Sequence, residues 1–304
     1  MMSDSHVKAE RITTLFRVAA LTLFAVYLTV FPGSTALVAL DAVPESGRWM
    51  GPALLLLQGA AAVCWLLGAY GRRGALAGLL VLLLGWGVEQ LGATTGVPFG
   101  RYSYTAALQP QLLGTVPLPI IGAWLMAALG AWQLAQVARW PGGERFQPAM
   151  LLLAATLVLV LDLQIETVAT RMNRFWVWRD SGPYYGIPVA NFVAWWAVGL
   201  LMASTLEWTL GRLSAGRENQ KDTGNARFTS LNRQSLFSIL PALLYILSTV
   251  MFTVSNLARG YALAGLVGIV FLLVAAGVIG RGGLAAAAAA IAPRSPDRSP
   301  ADRA

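Results

Sequence analysis

Two carboxylates sit four residues apart inside an apolar stretch. They are Asp162 and Glu166, in DLQIETVATRMNRFWVWRDSGPYYGIPVANFVAWW. At that spacing they share one face of a helix. Arg171, Arg174 and Arg179 follow in a short segment with Phe175, Trp176, Trp178, Tyr184 and Tyr185. Asn191 and Trp195 open the next apolar run. A second stretch, WGVEQLGATTGVPFGRYSY, repeats the recipe: Trp86, the acid Glu89, glycines, Arg101, then Tyr102 and Tyr104. A dry setting disfavours the carboxylate anion, so one acid of a group can hold its proton while a neighbour is ionised. Aromatic faces attract positive charge. The combination suits protonation of an apolar alkene. A proton joins one carbon, a tertiary cation forms on its neighbour, rings shield it and water captures it. Each residue alone also has a plainer reading. An acid can serve a helix–helix hydrogen bond or an ion pair with Arg101, Arg171 or Arg174. A Trp or Tyr can belong to an interfacial belt.

The elements that must position these groups are spelled out by composition. The chain has 304 residues, 57% of them hydrophobic and 12% charged, against about 25% charged in a soluble domain. Mean hydropathy is +0.62. This is the composition of an all-α, polytopic integral membrane protein. The net charge of +8 therefore reads as loop asymmetry, with no nucleic acid implied. One Cys (Cys64) and one His (His6) exclude a disulfide framework and argue against a zinc site. The first apolar run is too long for the h-region of a cleavable signal.

Eight apolar segments approach the ~20 residues needed to cross a bilayer: 15–40, 53–70, 75–91, 114–135, 149–170, 188–211, 235–254 and 260–280. They run continuously without alternation, which argues against strands. Pro32 and Gly33 suggest that the first is kinked or ends early. Together they predict one transmembrane helical domain over 15–281, with a polar loop at 213–234. Residues 1–14 read as a polar lead-in, and 282–304 as a disordered tail. With both termini cytoplasmic, six arginines fall on the far side: Arg48, Arg101, Arg171, Arg174, Arg179 and Arg259. The rest of the 22 basic residues fall on the cytoplasmic side, as the positive-inside rule requires. Three of the six lie in the aromatic loop 171–187, which suggests a local role.

Depth supports a single site. Glu89, Asp162 and Glu166 lie roughly 20–26 Å from the cytoplasmic ends of their helices, all in the outer half. Asn191 and Trp195 begin their span at that same side. The loops 92–113 and 171–187 cap it, with Gly and Pro setting tight turns. Glu207 lies at the opposite end, near Arg212, and reads as an interfacial residue. Gly74 and Gly78 read as ordinary helix packing.

The segment Glu89 to Tyr104, E-x-x-G-x-x-T-G-x-P-F-G-x-Y-x-Y, resembles the signature of the membrane carotenoid hydratases. These include γ-carotene and lycopene 1′,2′-hydratases and bisanhydrobacterioruberin hydratase. A later block is similar too: Asp162, Trp176-x-Trp178, then G-x-Y-Y-G-x-P-x-x-N-F at Gly182–Phe192, and Trp195. The resemblance covers about 85–280. It implies a cofactor-independent hydro-lyase that adds water across the terminal C1′=C2′ bond of an acyclic carotenoid ψ-end. It also implies a multi-pass protein of the cell membrane, a γ-carotene- or lycopene-type substrate, contact with membrane lipids, and association with other enzymes of the pathway. Asp162 is then expected to be the proton donor or its immediate partner, with Glu89 next. Glu166 would tune the pair or place water, and Asn191 would hold water. Trp86, Arg101, Tyr102, Tyr104, Trp176, Trp178, Tyr184, Tyr185 and Trp195 would line the substrate pocket. Two rivals remain. A polytopic prenyltransferase should carry Asp-rich metal–diphosphate motifs on two loops, whereas Asp162/Glu166 is one pair inside a span. A lipid transporter or scaffold could use the acids as a proton relay.

Overall fold

The computed structural model describes residues 4–137, 147–221 and 233–291, with side chains described for 10–136, 148–211 and 236–278. Among these the chain forms eight helices. They are α1 (Asp4–Ala39), α2 (Met50–Tyr70), α3 (Arg72–Thr95), α4 (Leu118–Val137), α5 (Gln147–Thr167), α6 (Val189–Lys221), α7 (Arg233–Ala258) and α8 (Ala262–Ile291). Seven are long and apolar enough to cross a bilayer, and a further apolar helix occupies Ala262–Val278. The protein is thus an all-α polytopic membrane protein. Many large apolar side chains are exposed on the outside, such as Leu76, Leu79 and Leu83 of α3 and Leu266, Leu273 and Val274 of α8. In lipid that arrangement costs nothing, because hydrocarbon replaces hydrocarbon.

Several boundaries differ from those expected. Helix α1 begins at Asp4, inside the expected lead-in, and runs through Pro32 to Ala39. Helix α8 continues through the alanine run to Ile291, because Ala has the highest intrinsic helix propensity. Helix α6 extends to Lys221, into the expected polar loop. The remainders of the lead-in (1–3), that loop (222–232) and the tail (292–304) lie outside the described residues.

Small residues let the helices approach closely. A Cβ on Gly59 of α2 would stand 2.7 Å from Gly122 Cα of α4, and one on Gly130 of α4 would stand 2.7 Å from Tyr245 Cβ of α7. Gly74 and Gly78 pack α3 on Leu66 of α2. Gly71, at φ 55°, turns α2 into α3 with no further linker. Helix α7 runs through Pro241, which has no N–H for the Phe237 carbonyl and so removes one rung of its ladder. Trp65 Nε1 supplies that carbonyl from α2, at 2.6 Å. One residue on, Gln133 of α4 inserts into the α7 ladder. It donates to Ser238 O at 2.7 Å and accepts from Ala242 N at 2.9 Å.

The end of the bundle where α1, α3, α5 and α7 finish is capped by loops. Strands were not expected there, yet four short ones form. β1 (Tyr102–Tyr104) pairs antiparallel with β4 (Trp176–Trp178), and β2 (Gln111–Leu112) pairs with β3 (Val116–Pro117). Two or three residues per strand are too few to register as alternation along the chain, although Y-x-Y and W-x-W do alternate. Helix α5 ends in a π-helical turn, Val168–Met172, whose wider ladder is closed by Asn173 N donating to Val168 O at 2.9 Å.

Candidate functional site

The β1–β4 ribbon joins the two unusual stretches of the sequence. Its register sets Tyr102 opposite Trp178, Ser103 opposite Val177 and Tyr104 opposite Trp176. Alternate residues of a strand face opposite sides. The four rings therefore share one face, over the bundle, while Val177 is exposed. Tyr102 and Tyr104 both donate to Glu89 Oε2, each at 2.6 Å. Trp178 Nε1 donates to Glu166 Oε2 at 2.9 Å, and Trp176 Nε1 approaches the same oxygen at 3.4 Å. Each strand thus serves one acid. Gly92 makes room for this arrangement: a Cβ there would meet Phe99 at 2.6 Å and the Tyr102 hydroxyl at 2.9 Å.

The second oxygen of each acid is held from the helices. Trp124 Nε1 of α4 donates to Glu89 Oε1 at 2.7 Å. Asn191 Nδ2 of α6 donates to Glu166 Oε1 at 3.1 Å and to Asp162 Oδ2 at 3.0 Å. One amide nitrogen thus bridges the two acids of α5. Glu89, Asp162, Glu166 and Asn191 are all buried, while Asp162 Oδ1 has no partner. Burial and the neighbouring carboxylate push the Tyr102 and Tyr104 phenols well above their ordinary range, so both remain donors at any working pH. Trp124 stacks on Trp195 with centroids 3.8 Å apart and planes 22° apart.

These groups face a cavity of about 640 Å³, within the roughly 300–1,000 Å³ of small-molecule sites. Glu89, Glu166, Tyr102, Tyr104, Trp176, Trp178, Asn191 and Trp195 line it, and Asp162 stands behind Asn191. Four of the six arginines expected on the far side, Arg48, Arg171, Arg174 and Arg259, line it as well. Arg259 pairs with Asp41 at 2.6 Å, which ties the ends of α7 and α1 together.

Four residues expected in the pocket lie elsewhere. Arg101 is exposed and is engaged by Asp180, which accepts from its guanidinium at 2.8 Å and its backbone N–H at 2.7 Å. Those bonds hold the Asp180 carboxyl below its usual range. Tyr184 donates to Leu163 O at 2.7 Å, and the Tyr185 hydroxyl accepts from Leu263 N at 3.0 Å. Both fasten the loop to the bundle, helped by Arg171, which donates to Tyr185 O. Trp86 is outside the lining, and its Nε1 is buried without a partner. Glu207, at the far end of the bundle, accepts from Trp132 Nε1 at 3.0 Å.

Sequence reasoning missed Trp124, Asp180 and the polar residues Tyr27, Gln58 and Ser248, which also line the cavity or clasp the ribbon. An indole N–H in an apolar helix needs a buried acceptor, and that was the available signal for Trp124. Asp180 is not readable until the ribbon brings it to Arg101.

Fold and site together define a polytopic helical membrane protein with an acidic, ring-lined cavity under a loop cap. Residues 50–275 match the family model described as carotenoid biosynthesis protein, and the chain belongs to that family. Bisanhydrobacterioruberin hydratase of Haloarcula japonica is 28% identical over 156 residues, covering 48% of this chain and 49% of that protein. The match thus spans about half the length of the curated relative. No solved structure matches the chain.

Proposed function

We propose that the protein is a carotenoid 1′,2′-hydratase of the cell membrane, acting on an acyclic ψ-end of γ-carotene or lycopene type. One observation carries the reading. Glu89 and Glu166, from different helices, face one aromatic cavity and are bonded to the paired strands of one ribbon. The family and the relative's name point the same way.

The chemistry follows from the donors around each acid. Two carboxyls bridged by one amide are costly as two anions, so the Asp162–Glu166 pair carries a proton. Glu166 faces the cavity and delivers that proton to C2′. The cation forms on C1′, the more substituted carbon, between aromatic rings that favour positive charge. Glu89, its two oxygens fixed by Tyr102, Tyr104 and Trp124, faces the same cavity, and the carboxylate left on Glu166 supplies the opposing charge. Water adds to C1′, and its surplus proton returns to the Glu166 carboxylate. Asn191 keeps Asp162 and Glu166 in register, and Asp162 shares the charge from behind. The capped end is then the non-cytoplasmic face, as the arginine distribution suggests. A hydrocarbon substrate accounts for a site within the bilayer, bounded by membrane lipids and served by other enzymes of the pathway.

The test is expression in cells that make lycopene or γ-carotene, with mass analysis of the pigments. A pigment heavier by one water is expected. Unchanged pigment would remove the proposal, and gain of a five-carbon unit would indicate prenyl transfer instead.

A further inference from the structure

The cavity has a second polar pole that the proposed hydration does not use. Tyr27 of α1, Gln58 of α2 and Ser248 of α7 all line it, and all three are buried. Gln58 Nε2 donates to Ser248 Oγ at 2.9 Å. The Tyr27 hydroxyl lies beside both residues but has no hydrogen-bond partner, although Tyr27 is only 2% exposed. Phe in its place would avoid the cost of burying an unpaired hydroxyl. Neighbouring Ser34, by contrast, is satisfied by Phe31 O at 3.0 Å.

The three side chains come from three helices and meet at one level. At 1.5 Å per residue from the capped ends, Gln58, Ser248 and Tyr27 lie roughly 12–18 Å in, and Glu89 about 9 Å. None of the three is charged. Tyr27 and Ser248 each have an O–H to give, and Gln58 can give and accept. This set matches an oxygen that accepts one or two hydrogen bonds and returns one. It has no counter-charge for a carboxylate or an ammonium.

The geometry points to an oxygen-binding subsite in which Tyr27, Gln58 and Ser248 hold a hydroxyl deeper in the cavity than the carboxyls. Two sources share that chemistry: an alcohol carried by the polyene, and a water molecule. The inference rests on the polyene reading above, but it concerns recognition and not the reaction. An alcohol held there would make the enzyme select substrates already oxygenated a few bonds from the reacting alkene.

Binding separates these cases. The protein in nanodiscs is titrated with lycopene and with its C4 alcohol, whose hydroxyl lies two bonds from an intact terminal alkene, read by quenching of tryptophan fluorescence, and product formation is followed in parallel. If the substrate supplies the oxygen, the alcohol binds about tenfold tighter than lycopene. Tyr27→Phe then abolishes that preference and leaves lycopene binding unchanged. If water supplies it, both polyenes bind alike, and Tyr27→Phe lowers product from both at unaltered affinity. Affinities and yields that stay within about twofold in both Tyr27→Phe and Ser248→Ala overturn the subsite. Absence of quenching by either polyene overturns it together with the function proposed above. If neither polyene gains water but the preference and its loss are seen, the subsite stands and the hydration reading falls. Ser248→Ala and Gln58→Leu carry the same comparison should Tyr27→Phe fail to accumulate, and Ser34→Ala is the neutral control.

Discussion

Tyr102 stands opposite Trp178 across the ribbon with ring centroids 5.2 Å apart, and the two donate to different acids, Glu89 and Glu166. A pairing between loops distant in sequence thereby sets the relative position of two carboxyls on separate helices. Losing Tyr102 Oη removes one of the three donors to Glu89. Losing a hydrogen bond to a buried carboxyl costs about 1–3 kcal/mol, so Tyr102→Phe is expected to lower hydration roughly 5- to 150-fold. Ser103→Ala, on the opposite face of the same strand, should leave it unchanged. Pigment yield normalised to protein in membranes decides. Equal yields from the two variants would show that the ribbon has no part in the site.

The apolar helices were legible because their runs are continuous and about as long as a bilayer is thick. The acids were legible because charge inside such a run is rare. The ribbon was not, since its strands are three residues long and each finds its partner only after the helices have packed. The same blindness misplaced Arg101, Tyr184 and Tyr185. Their residue types fit a binding pocket equally well, and only the neighbours Asp180, Leu163 and Leu263 reveal that they fasten the cap. Trp124 and Tyr27 look like ordinary core residues until their polar atoms are traced to a carboxylate or to no partner at all.

The three acids should respond differently to amide substitution. Glu89→Gln and Glu166→Gln each remove a carboxyl that faces the cavity, and both should abolish product. Asp162→Asn keeps an oxygen for Asn191 but cannot hold the shared charge, so it too should abolish product while the protein still accumulates in membranes. Near-normal yield from Asp162→Asn would remove Asp162 from the mechanism and leave it a packing residue.

The Arg101–Asp180 clasp predicts an acid-side limit. Asp180 has its pKa lowered in the folded state, first by its bonds to Arg101. Its stabilisation is therefore fully present above the unfolded value of about 3.9 and is lost as pH falls through the lower folded value. Between pH 5 and 8 this pair contributes no pH dependence. Hydrogen exchange of the ribbon amides, taken relative to the intrinsic rate at each pH, should stay slow across that window and quicken only in acid. Asp180→Asn should quicken it at neutral pH. An unchanged exchange rate in that variant would mean that the rings alone hold the ribbon closed.

Close approach of α2 and α4 should be sensitive to a single methyl. A Cβ on Gly59 meets backbone at 2.7 Å, whereas one on Gly122 has 3.3 Å to Leu55 O. Overpacking of this kind costs about 1–3 kcal/mol, so Gly59→Ala should lower the melting temperature in detergent more than Gly122→Ala does. The reverse order would indicate that the helices separate at little cost.

Trp65 and Pro241 form a testable pair across α2 and α7. Pro241 leaves the Phe237 carbonyl without its helical donor, and Trp65 Nε1 fills the place at 2.6 Å. Trp65→Phe keeps most of the ring but strands that carbonyl, at a cost of about 1–3 kcal/mol. Pro241→Ala restores a backbone N–H to the same oxygen. The double variant should therefore recover part of what Trp65→Phe loses, giving a non-additive cycle. Thermal melts of the four proteins measure it. Strict additivity would mean that the two residues act independently, and that the indole is held by packing against Phe237 and Tyr70 and not by the carbonyl that the proline frees.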